Sequence, residues 1–228
     1  MIQINKTALV CVDSTNNYAK ENISKLLLPS LITAEMQTAG RGRQGKSFYS
    51  PDKTGLYMTL VFDAPDSCEL LTAAAAVAVC KELELLNLNP QIKWVNDIYI
   101  GSLKVCGILT ECFCCNNRKY IALGIGININ TRDFPDDIPN PGSLDIDCNK
   151  EKLAESIAER FFNLTDNECI LTEYEKRLFI IGKAVTYIKN GTKYTAKVDG
   201  INKLCNLLVT RTDNTEDVLS SGEISIKL

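Results

Sequence analysis

Gly40-Arg41-Gly42-Arg43-Gln44-Gly45-Lys46-Ser47 runs straight into Phe48-Tyr49-Ser50-Pro51-Asp52-Lys53-Thr54-Gly55. The first eight residues hold three glycines, two arginines and a lysine, and no side chain that belongs in a core. Flexible backbone with many free N–H donors, beside three cations, suits an anion and phosphate above all. Two nucleotide patterns fit the letters. Gly40-x-Gly42-x-x-Gly45 matches the dinucleotide fingerprint, and Gly40-x4-Gly45-Lys46-Ser47 matches the P-loop. Both require a helix directly after the loop. Here a Pro and a Gly follow without helical period, and the next element, Leu56 to Phe62, alternates like a strand. Both standard nucleotide folds are therefore rejected. An anion grip and a solvated surface loop remain as readings.

Outward from the loop, short strands and helices mix. Ala8 to Val12 reads as a strand, and Asp13-Ser14-Thr15-Asn16 offers capping side chains to a short helix over 17–21. That cluster is an ordinary N-cap or a set of hydroxyl and amide groups for a small polar ligand. Leu31 to Glu35 is a second strand and Leu56 to Phe62 a third. Glu69 to Leu86 is rich in Ala and Leu without a breaker, which predicts a buried helix. Ile92 to Ile100 reads as strand, turn near Asn96-Asp97, and strand. Lys104 to Cys112 and Lys119 to Asn130 complete the strands of this half.

The last of these has two unlike faces. Its odd positions, Ile121, Leu123, Ile125, Ile127 and Ile129, form a core-packing row. Its even positions, Ala122, Gly124, Gly126, Asn128 and Asn130, are nearly bare backbone ending in two amides. Alternate glycines weaken a strand unless something lies close against them. A helix backbone and a flat ligand are both open readings.

Phe134 to Ser143 is a Pro- and Asp-rich loop, followed by amphipathic helices over 150–164 and 168–178. The texture then changes. Strands over 183–189, 193–198, 204–211 and 224–228 are separated by Asn190-Gly191, Asp199-Gly200 and Ser221-Gly222. The predicted organisation is α+β: a mixed-sheet unit over residues 1–181 and a small β unit over 182–228.

Composition bounds the function. The 228 residues are 45% hydrophobic and 23% charged, ordinary for a soluble globule. A net charge of −3 argues against general nucleic-acid binding, since the positive charge is local to residues 41–46. The N-terminus shows no signal peptide, and the longest apolar run, Ala73 to Cys80, is too short to span a membrane. Free thiols in a reducing, cytoplasmic compartment are the expectation for the ten cysteines. Cys112-Phe113-Cys114-Cys115 holds one CxxC but no second pair for zinc, so small hydrophobes in a hairpin is the preferred reading. The chain has no histidine, so no His base, His metal ligand or Ser-His-Asp triad exists.

Chemistry concentrates in Lys93-Trp94-Val95-Asn96-Asp97 and Lys104, which can share a cleft with the glycine loop. An Asp beside phosphate-gripping cations serves better as a Mg²⁺ ligand than as a base. The alternative is an Asn-Asp turn with a surface lysine nearby.

Five motifs occur in order: Asp13-Ser14-Thr15-Asn16; Glu35-x-Gln37-Thr38-Ala39-Gly40-Arg41-Gly42-Arg43-x-Gly45; Lys93-Trp94-x-Asn96-Asp97; Lys104-x-x-Gly107-Ile108-Leu109-x-Glu111; and Gly124-x-Gly126-x-Asn128-x-Asn130. Together they resemble the biotin–protein ligase (biotin–acetyl-CoA-carboxylase ligase) family, whose small SH3-like C-terminal β-barrel domain fits the β tail. The resemblance implies that biotin and MgATP form biotinyl-5′-AMP, and that biotin then passes to a lysine of a biotin carboxyl carrier domain. It implies that Ser14, Thr15, Asn16 and Gln37 bond the biotin ring system. Gly40, Arg41 and Gly42 close over it, and Gly107, Gly124 and Gly126 line the pocket. Lys104 would lie between carboxylate and α-phosphate as the main catalytic cation, with Arg43 on phosphate. Arg41, Lys46, Trp94, Asn96, Asp97 and Asn128 would surround the nucleotide, with Asp97 on Mg²⁺. Val95 replaces the family's usual proline, and Lys46 its frequent arginine, which forfeits a bidentate fork. Only seven residues precede Ala8, so the expected form lacks the family's N-terminal DNA-binding domain. No DNA or membrane partner is expected; a homodimer is compatible. The competing readings are a lipoate–protein ligase or octanoyltransferase of related fold, and a non-enzymatic nucleotide- or RNA-binding module.

Overall fold

The computed structural model describes residues 2–164, 166–189 and 191–220. The strand expected over 224–228, the Ser221-Gly222 turn and Asn190 lie outside the described residues.

The first half builds a seven-stranded mixed sheet. β1 (Asn5–Val12) leads through α1 (Thr15–Glu21) to β2 (Ser30–Gln37), and the glycine loop separates β2 from β3 (Gly55–Asp63). After α2 (Leu71–Leu85) come β4 (Pro90–Lys93), β5 (Asp97–Ile100), β6 (Leu103–Cys115) and β7 (Arg118–Asn128). The strand order is β1-β2-β3-β7-β6-β5-β4. β1 and β2 are parallel, joined by α1 as a crossover, and the other neighbours are antiparallel.

Side-chain alternation divides the two faces. Ile121, Leu123, Ile125 and Ile127 of β7 point to one face, at most 2% exposed, and pack with α2. Burying such a side chain contributes about 1.5–3 kcal/mol. α2 is buried along Ala73–Cys80 because alanines let the sheet and two later helices approach closely. Those helices are α3 (Lys150–Asn163) and α4 (Asn167–Arg177), each started by a side-chain cap, Asn149 and Asp166. On the opposite face, Tyr120 and Ala122 of β7 pack with Ala19 of α1 and with Ile23. Past the helix start this face continues as Gly124, Gly126 and Asn128.

The C-terminal strands β8 (Ala184–Lys189), β9 (Thr192–Ile201), β10 (Leu207–Arg211) and β11 (Glu216–Leu219) form an antiparallel meander. Its inner side chains, Val185, Tyr187, Val198, Leu207 and Val209, are continuous with the main core. Two buried hydrogen bonds tie the C-terminal part of the chain to the β4–β5 turn. Trp94 Nε1 donates to the Cys205 carbonyl at 2.8 Å, and Tyr174 Oη, on α4, donates to the Val95 carbonyl at 2.9 Å.

Candidate active site

A cleft of about 1170 Å³ lies on the α1 face. Ser14, Thr15, Asn16, Gln37, Arg41, Gly42, Arg43, Lys46, Trp94, Asn96, Asp97, Lys104, Gly107, Gly124, Gly126 and Asn128 all line it. Of the residues assigned a site role from the sequence, Gly40 alone is not part of the lining. It sits behind the loop, where an added Cβ would lie 2.3 Å from the Phe48 carbonyl oxygen.

Sheet register explains the convergence. Tyr57, Gly126, Gly107, Asp97 and Lys93 are successive cross-strand partners from β3 to β4. At about 4.8 Å between strands, this row crosses about 19 Å of sheet. It passes from an aromatic ring over two bare glycines to a carboxylate and an ammonium.

One end of the cleft is neutral and closely hydrogen-bonded. Ser14, Thr15, Asn16 and Thr59 are at most 3% exposed. Gln37 Oε1 accepts from the Thr15 N–H at 2.9 Å and the Thr15 hydroxyl at 3.1 Å, while Gln37 Nε2 donates to Ser50 Oγ at 2.9 Å. The Thr59 hydroxyl donates to Asn16 Oδ1 at 2.6 Å. Asn16 Nδ2 donates to Glu111 Oε2 at 2.9 Å and the Leu109 carbonyl at 3.3 Å. Ser14 starts α1 without a side-chain cap bond, so its hydroxyl is left to the cleft. Ser14 thus holds the N-cap position with extended backbone but makes no side-chain capping bond. Arg41 is drawn to the rim by Asn17 Oδ1 at 2.8 Å and Glu111 at 3.3 Å. Burial pushes the Glu111 carboxyl up, but hydrogen bonds from Lys20 and Asn16 and the charges of Lys20 and Arg41 leave it below its ordinary value.

Two side chains, rather than a helix backbone, lie against the glycine face of β7. Gly124 lies under Asn16 at the start of α1, and Gly126 lies under the Phe48 ring. A Cβ would stand 2.5 Å from Asn16 Oδ1 in the first case and 2.4 Å from the ring in the second. Phe48 also touches Gly107 and meets Tyr57 edge-on at 6.5 Å.

The other end is charged. Lys104 Nζ pairs with Asp97 Oδ1 at 2.7 Å. Arg43 Nη1 donates to Asn96 Oδ1 at 3.1 Å, and Asn96 Nδ2 is fixed to the Ile108 carbonyl at 2.8 Å. Burial lowers the Arg43 guanidinium from its ordinary pKa, opposed by Asp97. Burial lowers Lys93 likewise; Asp97 opposes this, and Lys104 and Lys46 add to it. Trp94 forms wall rather than handle, because its indole N–H is engaged by Cys205. Asn128 Nδ2 donates to the Gly142 carbonyl at 2.9 Å, yet Asn128 Oδ1 is buried without a hydrogen-bond partner, the one such side-chain atom among the described residues. An orphaned buried acceptor costs about 1–3 kcal/mol until a donor reaches it.

Sequence reasoning missed part of the lining. Phe134 to Pro141 folds back over the cleft. Lys104 N–H donates to the Asn140 carbonyl at 2.8 Å, and Gly142 N–H donates to the Lys104 carbonyl at 2.9 Å. Phe48, Phe179 and Lys183 also line the cleft, as does Lys93, which the sequence had placed there. The usable signal for Phe48 was an aromatic residue directly after a loop with no apolar partners of its own.

No three His, Cys, Asp or Glu side chains converge as a metal cage among the described residues. A Mg²⁺ carried by phosphates needs only one or two protein carboxylates. Asp97, with Asp137 on the same lining, meets that smaller requirement.

The cleft thus joins a neutral hydrogen-bonding end, a glycine floor and a cationic end on one mixed sheet. Residues 8–128 match the model of the biotin/lipoate A/B protein ligase family, and the chain belongs to that family. Among curated relatives, the bifunctional ligase/repressor BirA of Bacillus spizizenii is 35% identical over 157 residues, 66% of this chain and 46% of the relative. The biotin–[acetyl-CoA-carboxylase] ligase of Mycobacterium tuberculosis is 31% identical over 107 residues, 43% of this chain and 39% of the relative. The chain thus spans about half the length, or less, of these two relatives. Among solved structures, the biotin protein ligase of Aquifex aeolicus in complex with biotin and ATP superimposes with a TM-score of 0.82 at 25% identity, over 98% of both chains.

Proposed function

We propose that the chain is an ATP-dependent biotin–protein ligase: it activates biotin as biotinyl-5′-AMP and transfers the biotin to a lysine of a biotin carboxyl carrier domain. The observation that carries this is the cross-strand row from Gly126 through Gly107 and Asp97 to Lys93. It suits a ligand with a neutral polar head, a flat apolar middle and a carboxylate delivered to cations. The Aquifex aeolicus structure, described with biotin and ATP, supports both substrates, and the name of the Mycobacterium relative supports the carrier partner.

In this reading Ser14, Thr15, Asn16 and Gln37 hold the polar head of biotin. Gly107, Gly124 and Gly126 give the flat floor, with Phe48 as an apolar wall; Arg41 and Gly42 form the cover, and Gly40 backs it from behind the loop. The biotin carboxylate oxygen attacks the α-phosphorus of ATP, and the bond to the β-bridging oxygen breaks with its electron pair leaving on pyrophosphate. Such a step needs alignment and charge neutralisation more than proton transfer. Lys104 serves as the main catalytic cation, exchanging its partner Asp97 for phosphate. Arg43 and Lys46 bear on phosphate from the loop, while Trp94 and Asn96 support the nucleotide side. Asn128 Oδ1 offers its open acceptor to a hydroxyl or amino group of the nucleotide. Asp97 would hold a phosphate-borne Mg²⁺, which when bound neutralises charge on the triphosphate. In the second half-reaction the carrier lysine amine attacks the acyl carbon and AMP leaves.

Residues 1–181 are proposed as the catalytic unit and 182–228 as a small SH3-like unit, the division falling at Gly182, whose φ is +77°. The chain is read as cytoplasmic; no helix among the described residues is long and apolar enough to cross a membrane. The test is incubation with labelled biotin, ATP, Mg²⁺ and a purified carrier domain. Label on the carrier lysine is expected. No transfer from biotin, or equal transfer from lipoate, contradicts the assignment.

A further inference from the structure

The cleft extends past Asp97 to the edge of the sheet, and of the five motifs Lys93 alone lies in this extension. Gln91 and Lys93 of β4, Tyr99 of β5, and Phe179 and Lys183 of the connection to the small sheet line this extension. Lys183 is well anchored. Its N–H donates to the Ile180 carbonyl at 3.1 Å, and its carbonyl accepts from the Val198 N–H at 3.0 Å. Its ammonium lies 4.8 Å over the Phe179 ring, which packs on Tyr99 at 5.6 Å. A cation held over an aromatic face has a restricted position although its residue is exposed. Neither Lys93 nor Lys183 forms an ion pair among the described residues. Among the described residues lining this end of the cleft, Lys46, Lys93, Lys104 and Lys183 stand with the carboxylates of Asp97 and Asp137.

Direction matters as much as charge. In-line displacement sends the leaving group opposite to the nucleophile. The neutral pocket lies over β3, β7 and β6, and the Lys104–Asp97 pair spans β6 and β5. A carboxylate arriving from the first side expels its leaving group toward β4, where Lys93 and Lys183 stand. Resting on the reading above, we infer that Lys183 and Lys93 form a polyphosphate subsite at the β4 edge, which holds the β- and γ-phosphates of ATP and then pyrophosphate. Lys183 lies outside the residues matched by the family model, in the part of the chain where the ligase motifs are absent.

The test is calorimetric binding of inorganic pyrophosphate, ATP, AMP and biotin to the full chain and its Lys183→Ala and Lys183→Arg variants. Lys183→Ala should weaken pyrophosphate and ATP by about five-fold, the scale of one partly exposed charge-assisted contact, and leave AMP and biotin within about two-fold. Lys183→Arg should restore most of the loss. Equal affinity of Lys183→Ala and wild type for pyrophosphate overturns the inference, as does a matching loss for AMP. A wild-type chain that binds neither biotin nor ATP overturns the ligase reading itself.

Discussion

At the α1 end of the cleft, side-chain amides and hydroxyls pair with one another; at the β4 end, charges face the cleft in surplus. Thr15, Asn16, Gln37 and Thr59 complete each other's hydrogen bonds within 2.6–3.1 Å. Among the described residues, Lys46, Lys93, Lys104 and Lys183 stand with two carboxylates at the far end, and Asn128 Oδ1 is left without a donor. The neutral end is therefore shaped before any ligand arrives. The charged end is arranged for something anionic and hydrogen-donating to complete it. Stability resides in one region and unmet binding capacity in the other, so substitutions at the two ends should affect different ligands.

The largest effect tests the point where the ends meet. Lys104→Ala removes the cation beside Asp97, and because both side chains are partly exposed the fold should survive. Biotinyl-5′-AMP formation should fall by about 10²–10³-fold, the scale of losing one preorganised charge in the transition state. Single-turnover adenylate formation with a circular dichroism control measures this; a normal rate removes Lys104 from its role.

Gly126→Ala sharpens the neutral end. The new Cβ would stand 2.4 Å from the Phe48 ring and force it into the cleft. Biotin affinity should drop by about ten-fold or more, the lower range for overpacking, with AMP affinity unchanged. Equal losses for both ligands would mean that the two ends are not separable.

Asn128→Ala is the mirror experiment. It deletes the open acceptor, so nucleotide affinity should fall by about five- to ten-fold while biotin binding stays level. Titration of each ligand separately reads the difference.

The smallest functional effect belongs to Glu173→Gln, away from both ends. Hydrogen bonds from Lys81 and Arg177 hold the Glu173 carboxyl at about 2 in the fold. Its ordinary value is 4.5, so its stabilisation is fully present above that pH and is lost as pH falls through about 2. Glu173→Gln should flatten the fall of the melting temperature between those pH values and leave biotin and AMP affinities alone. A changed ligand affinity would show that α4 reaches the site more strongly than the geometry indicates.

Local pattern was enough for most elements. The Ala-rich run of α2, the alternation of β3 and β7 and the Asn-Asp turn before β5 are set by neighbours in sequence, and the structure agrees within a few residues. The glycine face of β7 marked the cleft floor because a bare strand face asks for a close neighbour. Neighbours distant in sequence were not legible. Trp94 and Cys205 are 111 residues apart, and no periodicity announces that one indole N–H meets that carbonyl. Phe48 was hidden because it belongs to an irregular loop, and its ring finds Gly107 and Gly126 only through the register of two hairpin strands. Phe134 to Pro141 was equally hidden, since its return to Lys104 rests on backbone hydrogen bonds that any residue types could make.

The most direct measurement is adenylate formation by the purified chain with ATP and either biotin or lipoate, read as acid-dependent release of labelled pyrophosphate. Pyrophosphate released with biotin, in step with biotinyl-5′-AMP, and none with lipoate is the predicted result. No release with biotin, or equal release with both acids, would contradict the proposed ligase function.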